Sequence, residues 1–260
     1  MGVITLLTDF GHKDSYVGVM KGVIAGISPQ SQVIDLTHGV PHQGILAARF
    51  NLLTSYRYFS AGTIHVVVVD PGVGTQRCAV AVQMSTPAGL QTVVAPDNGI
   101  LTDFPITAAV TLTNTDYWRT PQPSHTFHGL DIFAPVAAYL ANGVPLEELG
   151  RSLSVANLVR VDICSAVSTE QGYCGNVQYI DHFGNVVTTI PGNTLTGGSW
   201  YVRIGNYEIQ YHTTYGHTEP GKALALIGSH GYVEIAINEG NAAKTFEVQI
   251  GDEVELFVNS

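Results

Sequence analysis

Three short apolar runs each break into a turn that carries an aspartate. Val3 to Leu7 leads into Thr8-Asp9-Phe10-Gly11, Ile64 to Val69 into Asp70-Pro71-Gly72-Val73-Gly74-Thr75, and Gln91 to Ala95 into Pro96-Asp97-Asn98-Gly99. Continuous runs rich in Val, Ile and Thr suit strands buried on both faces, as in parallel sheets. Open sheets of that kind bind ligands outside the carboxyl ends of their strands. Asp9, Asp70 and Asp97 are therefore expected at one edge, although each alone is equally explained as a side chain that satisfies turn amides.

The spaces between the runs fit the same architecture. Strands are predicted over 3–8, 32–36, 63–69 and 91–95. Tyr16, Val19, Met20, Val23 and Ile27 recur at helical spacing before Ser28-Pro29, and Ile45, Ala48, Leu52 and Tyr56 do so before Ala61-Gly62. Alternation of strand and helix predicts a mostly parallel sheet wound with helices. Residues 130–140 read as a further helix, with Pro135 as a kink or a first-turn residue.

Beyond about residue 165 the pattern becomes short alternating runs over 173–180, 185–190, 200–204, 206–211, 223–227, 232–237 and 245–257. That spacing predicts a smaller all-β domain, a barrel or sandwich. The chain is thus expected to hold an N-terminal α/β domain over 1–160 and a C-terminal β domain over 168–260, with Leu146 to Ser168 as the linker.

Charge narrows the partners. Net charge is −10, yet only 12% of residues are Asp, Glu, Lys or Arg, about half the usual share, so another subunit is expected to cover part of the surface. Clustered Lys and Arg for a nucleic-acid backbone are missing, and an acidic chain suits a cationic small molecule. The start Met1-Gly2-Val3-Ile4-Thr5 has no basic segment followed by a long apolar core, and no stretch reaches the roughly 18 apolar residues of a membrane span. Cys78, Cys164 and Cys174 have no metal-site spacing and leave an odd thiol, which suits a reducing, cytoplasmic setting.

Several short motifs fail on their context. Asp9-Phe10-Gly11 lacks the nucleotide-binding lobe that precedes the kinase motif, and Gly72-Val73-Gly74-Thr75 lacks the spacing and Lys-Ser/Thr ending of a phosphate loop. Gly228-Ser229-His230-Gly231 has Ile227 two residues before the serine, where a nucleophile elbow needs glycine. His125 and His128 with Asp70 would make a metal site; the plainer alternative is a helix-capping loop whose histidines bond backbone.

As an ordered set, Thr8-Asp9-Phe10-Gly11, Asp35-Leu36-Thr37-His38, Asp70 to Thr75, Pro96-Asp97-Asn98-Gly99, Phe127-His128-Gly129 and Asp181-His182-Phe183-Gly184-Asn185 resemble the S-adenosyl-L-methionine hydrolase family. Its members are also called hydroxide adenosyltransferases and are relatives of fluorinating and chlorinating enzymes. The resemblance implies an α/β domain followed by a β domain, a homotrimer with sites between subunits, no cofactor, and cleavage of S-adenosyl-L-methionine to adenosine and L-methionine. The positions matching the hydrolases' water-holding residues are Asp70, Arg77 and His128; halogenating relatives carry Tyr in place of Asp70, and the fluorinating ones Tyr-Ser in place of His128-Gly129. Leu130 departs from the Arg that follows His-Gly in many relatives, which questions a local ion pair.

The same resemblance supplies a substrate-binding set: Asp9, Phe10, His38, Asn98, Asp181, Phe183, Asn185, Ser229, Tyr232 and Glu234. A carboxylate at Asp9 suits a vicinal diol, the amide of Asn185 an adenine edge, the ring of Phe183 a stacked base and Asp181 an ammonium. Chemistry divides the first three roles. Arginine stays charged and stabilises developing hydroxide, Asp70 orients it and holds water, and His128 is the expected proton acceptor. Alternatives are halide-dependent substitution on the same substrate, a non-catalytic nucleoside sensor, and a metal-dependent hydrolase.

Overall fold

The computed structural model describes residues 2–195 and 198–259. Residues up to Val161 form one compact unit and those from Asp162 a second.

The first unit is a seven-stranded mixed sheet with helices. Its strands are β1 (Val3–Thr8), β2 (Gln32–Thr37), β3 (Ile64–Val68), β4 (Ala79–Thr86), β5 (Gly89–Pro96), β6 (Ile106–Leu112) and β7 (Gly150–Leu153), in the spatial order β2-β1-β3-β5-β4-β6-β7. The first four in that order are parallel, as the apolar runs predict. Thr8 lies opposite Val68 and Val66 opposite Val94, so β1, β3 and β5 end together and release Asp9, Asp70 and Asp97 at one edge. Every residue of β3 is buried.

The remaining strands depart from the sequence prediction. β4 returns antiparallel to β5, and β6 and β7 continue antiparallel beyond it. Part of the expected linker is therefore sheet: Leu146 and Leu149 are buried, and Gly150–Leu153 is the edge strand.

Helices α1 (Tyr16–Ile27), α2 (Ile45–Ser55) and α3 (Ala134–Ala141) complete the unit. The predicted helix over 130–140 starts as one π-helical turn, Gly129–Phe133, and becomes α-helical with Pro135 in its first turn, where proline's missing N–H costs nothing. Met20, Ile24, Val66, Val68, Ile132 and Phe133 share one buried core.

The second unit is all-β. Strands β8 (Val167–Ser168), β9 (Gly172–Ile180), β10 (Val186–Pro191), β11 (Trp200–Ile204), β12 (Tyr207–Gln210), β13 (Ala223–Ile227), β14 (Tyr232–Ile237) and β15 (Glu253–Val258) form a sheet of order β12-β11-β15-β9-β10-β14-β13, with β8 on β9. Tyr211, just past β12, bridges Ala225 in β13, which brings the two ends of the path together as a barrel-like sheet. The run expected over 245–257 is only partly strand. Asn241 caps α4 (Ala242–Phe246) through the Lys244 N–H, and Glu247 ends it in left-handed geometry. Among the described residues no helix is long and apolar enough to cross a membrane.

Candidate active site

The loop after β3 doubles back on itself. Val73 N–H donates to the Asp70 carbonyl, Thr75 N–H to the Gly72 carbonyl, and Arg77 N–H to Thr75 Oγ1. This returns Arg77 to the strand end it left, where Nε donates to Asp70 Oδ1 at 3.0 Å and Nη2 makes a very short bond to Oδ2. The pair is bidentate, the arrangement in which a guanidinium best matches a carboxylate. Both side chains are nearly covered, Arg77 7% exposed and Asp70 4%.

A second segment meets this loop. Gly74 sits at φ +75°, and a Cβ there would lie 2.1 Å from the His125 carbonyl oxygen. Only glycine permits that approach, and it brings the 125–128 segment against the pair. His128 then receives a bond from Arg77 Nη2 at its Nδ1, over 3.0 Å. Burial, and next the Arg77 guanidinium, push the His128 pKa below its ordinary value, so the ring is neutral near pH 7.

The π-helical turn begins directly after His128; such turns recur at functional sites. A local ion pair exists here despite Leu130: Arg119 Nε donates to the buried Asp131 at 2.6 Å, and Ser124 N–H donates to its other oxygen at 2.8 Å. Arg77 Nη1 is buried without a hydrogen-bond partner among the described residues, and its Cζ lies 5.5 Å from the Phe133 ring centre.

Asp70 and His128 line a cavity of about 400 Å³, and Asp9 and Phe10 line it too. Gln43 N–H fixes one Asp9 oxygen, Oδ2, at 2.9 Å. The ring of Phe10 meets Phe127 edge-on. His42, Gln43 and Thr126 complete walls for which the sequence offered no periodic or motif signal. Gln43 stands out only in three dimensions, at φ +61°, a strained setting of the kind found at ligand clamps.

Other expected residues are placed elsewhere. His38 is fully buried, with Nδ1 2.8 Å from Thr8 Oγ1, and does not line the cavity. Asn98 donates to the Val69 carbonyl and accepts from Ile100 N–H, so it braces the β3 and β5 exits. Asp97 accepts from Val159 N–H at 2.9 Å, and burial raises its pKa.

The second unit has its own cavity, of about 420 Å³, and Asp181, Phe183 and Asn185 line it together. Asp181 Oδ1 accepts from Phe183 N–H and Asn185 N–H, and Oδ2 from the Asn185 amide, so this carboxylate shapes its turn. Phe183 remains 70% exposed. Ser229, Tyr232 and Glu234 do not line this cavity. Ser229 is exposed in the turn between β13 and β14, and Tyr232 N–H donates to His230 Nδ1. Glu234 is buried and accepts from Tyr215 Oη at 2.6 Å, with His230 Nε2 at 3.0 Å from its other oxygen. Tyr215, which the sequence reading passed over, lines the cavity; burial first, then Glu234, pushes its pKa up.

Among the described residues no three His, Cys, Asp or Glu side chains converge as a metal-binding group. His125, Asp70 and His128 thus do not form the ligand set considered from sequence.

A family model described as the SAM hydroxide adenosyltransferase N-terminal domain matches residues 4–150, and that of the C-terminal domain matches 175–255. A Salinispora tropica protein named (R)-S-adenosyl-L-methionine hydrolase is 38% identical over 258 residues, covering 97% of each chain. One of the same name from Thermus thermophilus is 35% identical over 266 residues, covering 98% of this chain and all of its own length, 100%. A crystal structure described as an uncharacterized conserved protein from Thermotoga maritima superposes with a TM-score of 0.89 at 36% identity, over 98% of this chain and 99% of its own. More distant relatives, at 27% identity and less, are named fluorinases.

Proposed function

Because the chain belongs to the S-adenosyl-L-methionine hydroxide adenosyltransferase family, we propose that it hydrolyses S-adenosyl-L-methionine to adenosine and L-methionine at the cavity lined by Asp9, Asp70 and His128. The observation that carries this is the covered Asp70, Arg77 and His128 network at the wall of a cavity that also presents a second carboxylate.

In the step, a water oxygen bonds to the ribose 5′ carbon as the bond from that carbon to the sulfonium sulfur breaks. The electron pair stays on sulfur, which leaves as a neutral thioether and needs no acid. The barrier lies with water, whose pKa of about 15.7 must be overcome as attack proceeds.

The hydrogen bonds support one division of roles. Guanidinium can only donate, so Nδ1 of His128 accepts and the neutral ring carries its proton on Nε2. Neither ring nitrogen then has a lone pair for water. Asp70 keeps one on each oxygen beyond the Arg77 bonds, so it takes the water proton, and Arg77 stabilises the negative charge that develops on the attacking oxygen. His128 holds Arg77 through Nη2, the nitrogen that also meets Asp70 Oδ2. We therefore read Asp70 as the proton acceptor in place of His128, the residue expected from sequence.

Asp9 accepts the ribose hydroxyls. The second unit's cavity, taken by itself, offers the flat faces of Phe183 and Tyr215 and the donor and acceptor edge of Asn185, a set that suits a planar base such as adenine. Halide substitution is disfavoured because Asp70 would repel an anion where the nucleophile must sit. Incubation in ¹⁸O-labelled water tests the reaction: the label must appear at the 5′ hydroxyl of adenosine, and its absence, or a 5′-halogenated nucleoside in chloride or fluoride, overturns it.

A cytoplasmic homotrimer is the assembly we infer. It is supported by the small and apolar residues that α1 leaves exposed, Tyr16, Gly18, Val19, Gly22 and Ala25, and by the low share of charged residues. Sedimentation velocity at micromolar concentration tests it.

A further inference from the structure

We propose that His38 is a positioning residue for the Asp9 turn, acting through Thr8, and that ribose recognition depends on it although it touches no ligand. The inference rests on the reading of Asp9 as the residue that accepts the ribose hydroxyls.

Asp9 stands between residues that His38 ties down. Thr8 Oγ1 accepts from Phe10 N–H at 3.2 Å and lies 2.8 Å from His38 Nδ1. A hydroxyl has one proton and two acceptor sites, so Thr8 Oγ1 serves Phe10 N–H and the His38 ring together in either tautomer. The other ring nitrogen, Nε2, lies 3.0 Å from Asp35 Oδ1 without hydrogen-bond geometry, and Lys21 Nζ holds the other Asp35 oxygen at 2.7 Å. Gly11 N–H donates to the His38 carbonyl at 2.8 Å. Thr8 and Gly11 are thereby fixed to His38, and Phe10 to Thr8, and the same β2-to-α2 connection supplies the Gln43 N–H that fixes Asp9 Oδ2.

A buried histidine bonded in this way would serve packing alone if its partners lay far from the cavity. Here the ring bonds Thr8, the neighbour of Asp9 whose hydroxyl also holds Phe10 N–H, and the His38 carbonyl holds Gly11 N–H. A carboxylate that must meet two hydroxyls at once tolerates little angular error, and support behind it decides whether both bonds form.

The test is calorimetric binding of adenosine and 2′-deoxyadenosine to the full chain and its variants. The wild type is expected to prefer adenosine by about tenfold or more, the scale of one charge-assisted hydrogen bond. Asp9→Asn should remove most of that preference. Thr8→Val and His38→Gln should reduce it to within about threefold, and Thr8→Ser, which keeps the hydroxyl, should retain it.

Wild-type preference in both Thr8→Val and His38→Gln overturns the inference, whatever happens to their melting temperatures. Equal preference in the wild type and Asp9→Asn would instead show that Asp9 does not bind the ribose, and both readings fall. If His38→Gln does not fold, Thr8→Val, nearly the same shape as the native residue, decides the matter.

Discussion

Arg77 donates to His128 Nδ1 over 3.0 Å, and since guanidinium has no acceptor, this one bond fixes which imidazole nitrogen bears the proton. In the reading proposed above, His128 is a support for Arg77 and not the base. Asp70 and His128 share the Nη2 group of one guanidinium as a common grip.

Asp70→Ala should lower turnover by roughly 10² to 10⁴. His128→Ala should lose roughly 10², whereas His128→Asn, whose amide oxygen reaches the place of Nδ1, should keep turnover within about tenfold of the wild type. Steady-state kinetics on the three variants check this. Equal losses in His128→Ala and His128→Asn would restore the histidine as proton acceptor.

The grip also sets a pH response. Protonating His128 places a proton on Nδ1 against Arg77, so kcat/KM should fall as pH drops through the His128 pKa, and that point should lie below the ordinary histidine value of 6.5. The acid limb should vanish in His128→Asn.

His65 links stability to pH away from the site. It is fully buried between Thr5 Oγ1, at 2.7 Å, and the Gln91 amide oxygen, at 3.2 Å. Burial lowers its pKa from 6.5 to about 4. The unfolded chain therefore binds the extra proton between those values, and stability present above pH 6.5 is lost as pH falls toward 4, by about 3 kcal/mol at most. Chemical denaturation from pH 7 to 4 should show this slope, and His65→Gln should flatten it.

In the second unit, Tyr215→Ala should weaken adenosine binding about tenfold, the scale of one stacked base. Tyr215→Phe keeps the ring and should stay within about threefold. Titration calorimetry separates the two, and equal losses would place the hydroxyl, not the face, in the binding role.

Gly74→Ala should pull the 125–128 segment away from the Asp70 loop, because the new methyl would overlap the His125 carbonyl. Turnover should drop at least about tenfold while the second unit's cavity is untouched. A crystal structure of the variant would show the Arg77 to His128 bond lengthened.

Much of this molecule can be read from local pattern. Apolar runs ending in aspartate announced β1, β3 and β5 and the edge at which Asp9 and Asp70 meet, because strand ends are written in the chemistry of a few adjacent residues. Short alternating runs announced the β unit for the same reason. The strands β4, β6 and β7 escaped notice, since antiparallel additions to a parallel sheet are chosen by partners far along the chain and leave no period of their own.

The site divides along the same line. Sequence, through resemblance, pointed to Asp70, Arg77 and His128, which the fold brings into one hydrogen-bonded network, and the residue types alone favoured arginine as the charge and not the base. It could not tell that His38 and Asn98 face inward to backbone and core, that Tyr215 joins Phe183, or that Gln43 holds Asp9. Nor could it assign the proton on His128. Hydrogen-bond direction depends on which donor stands at which nitrogen, and only folding the loop at Gly74 against His125 brings Arg77 there.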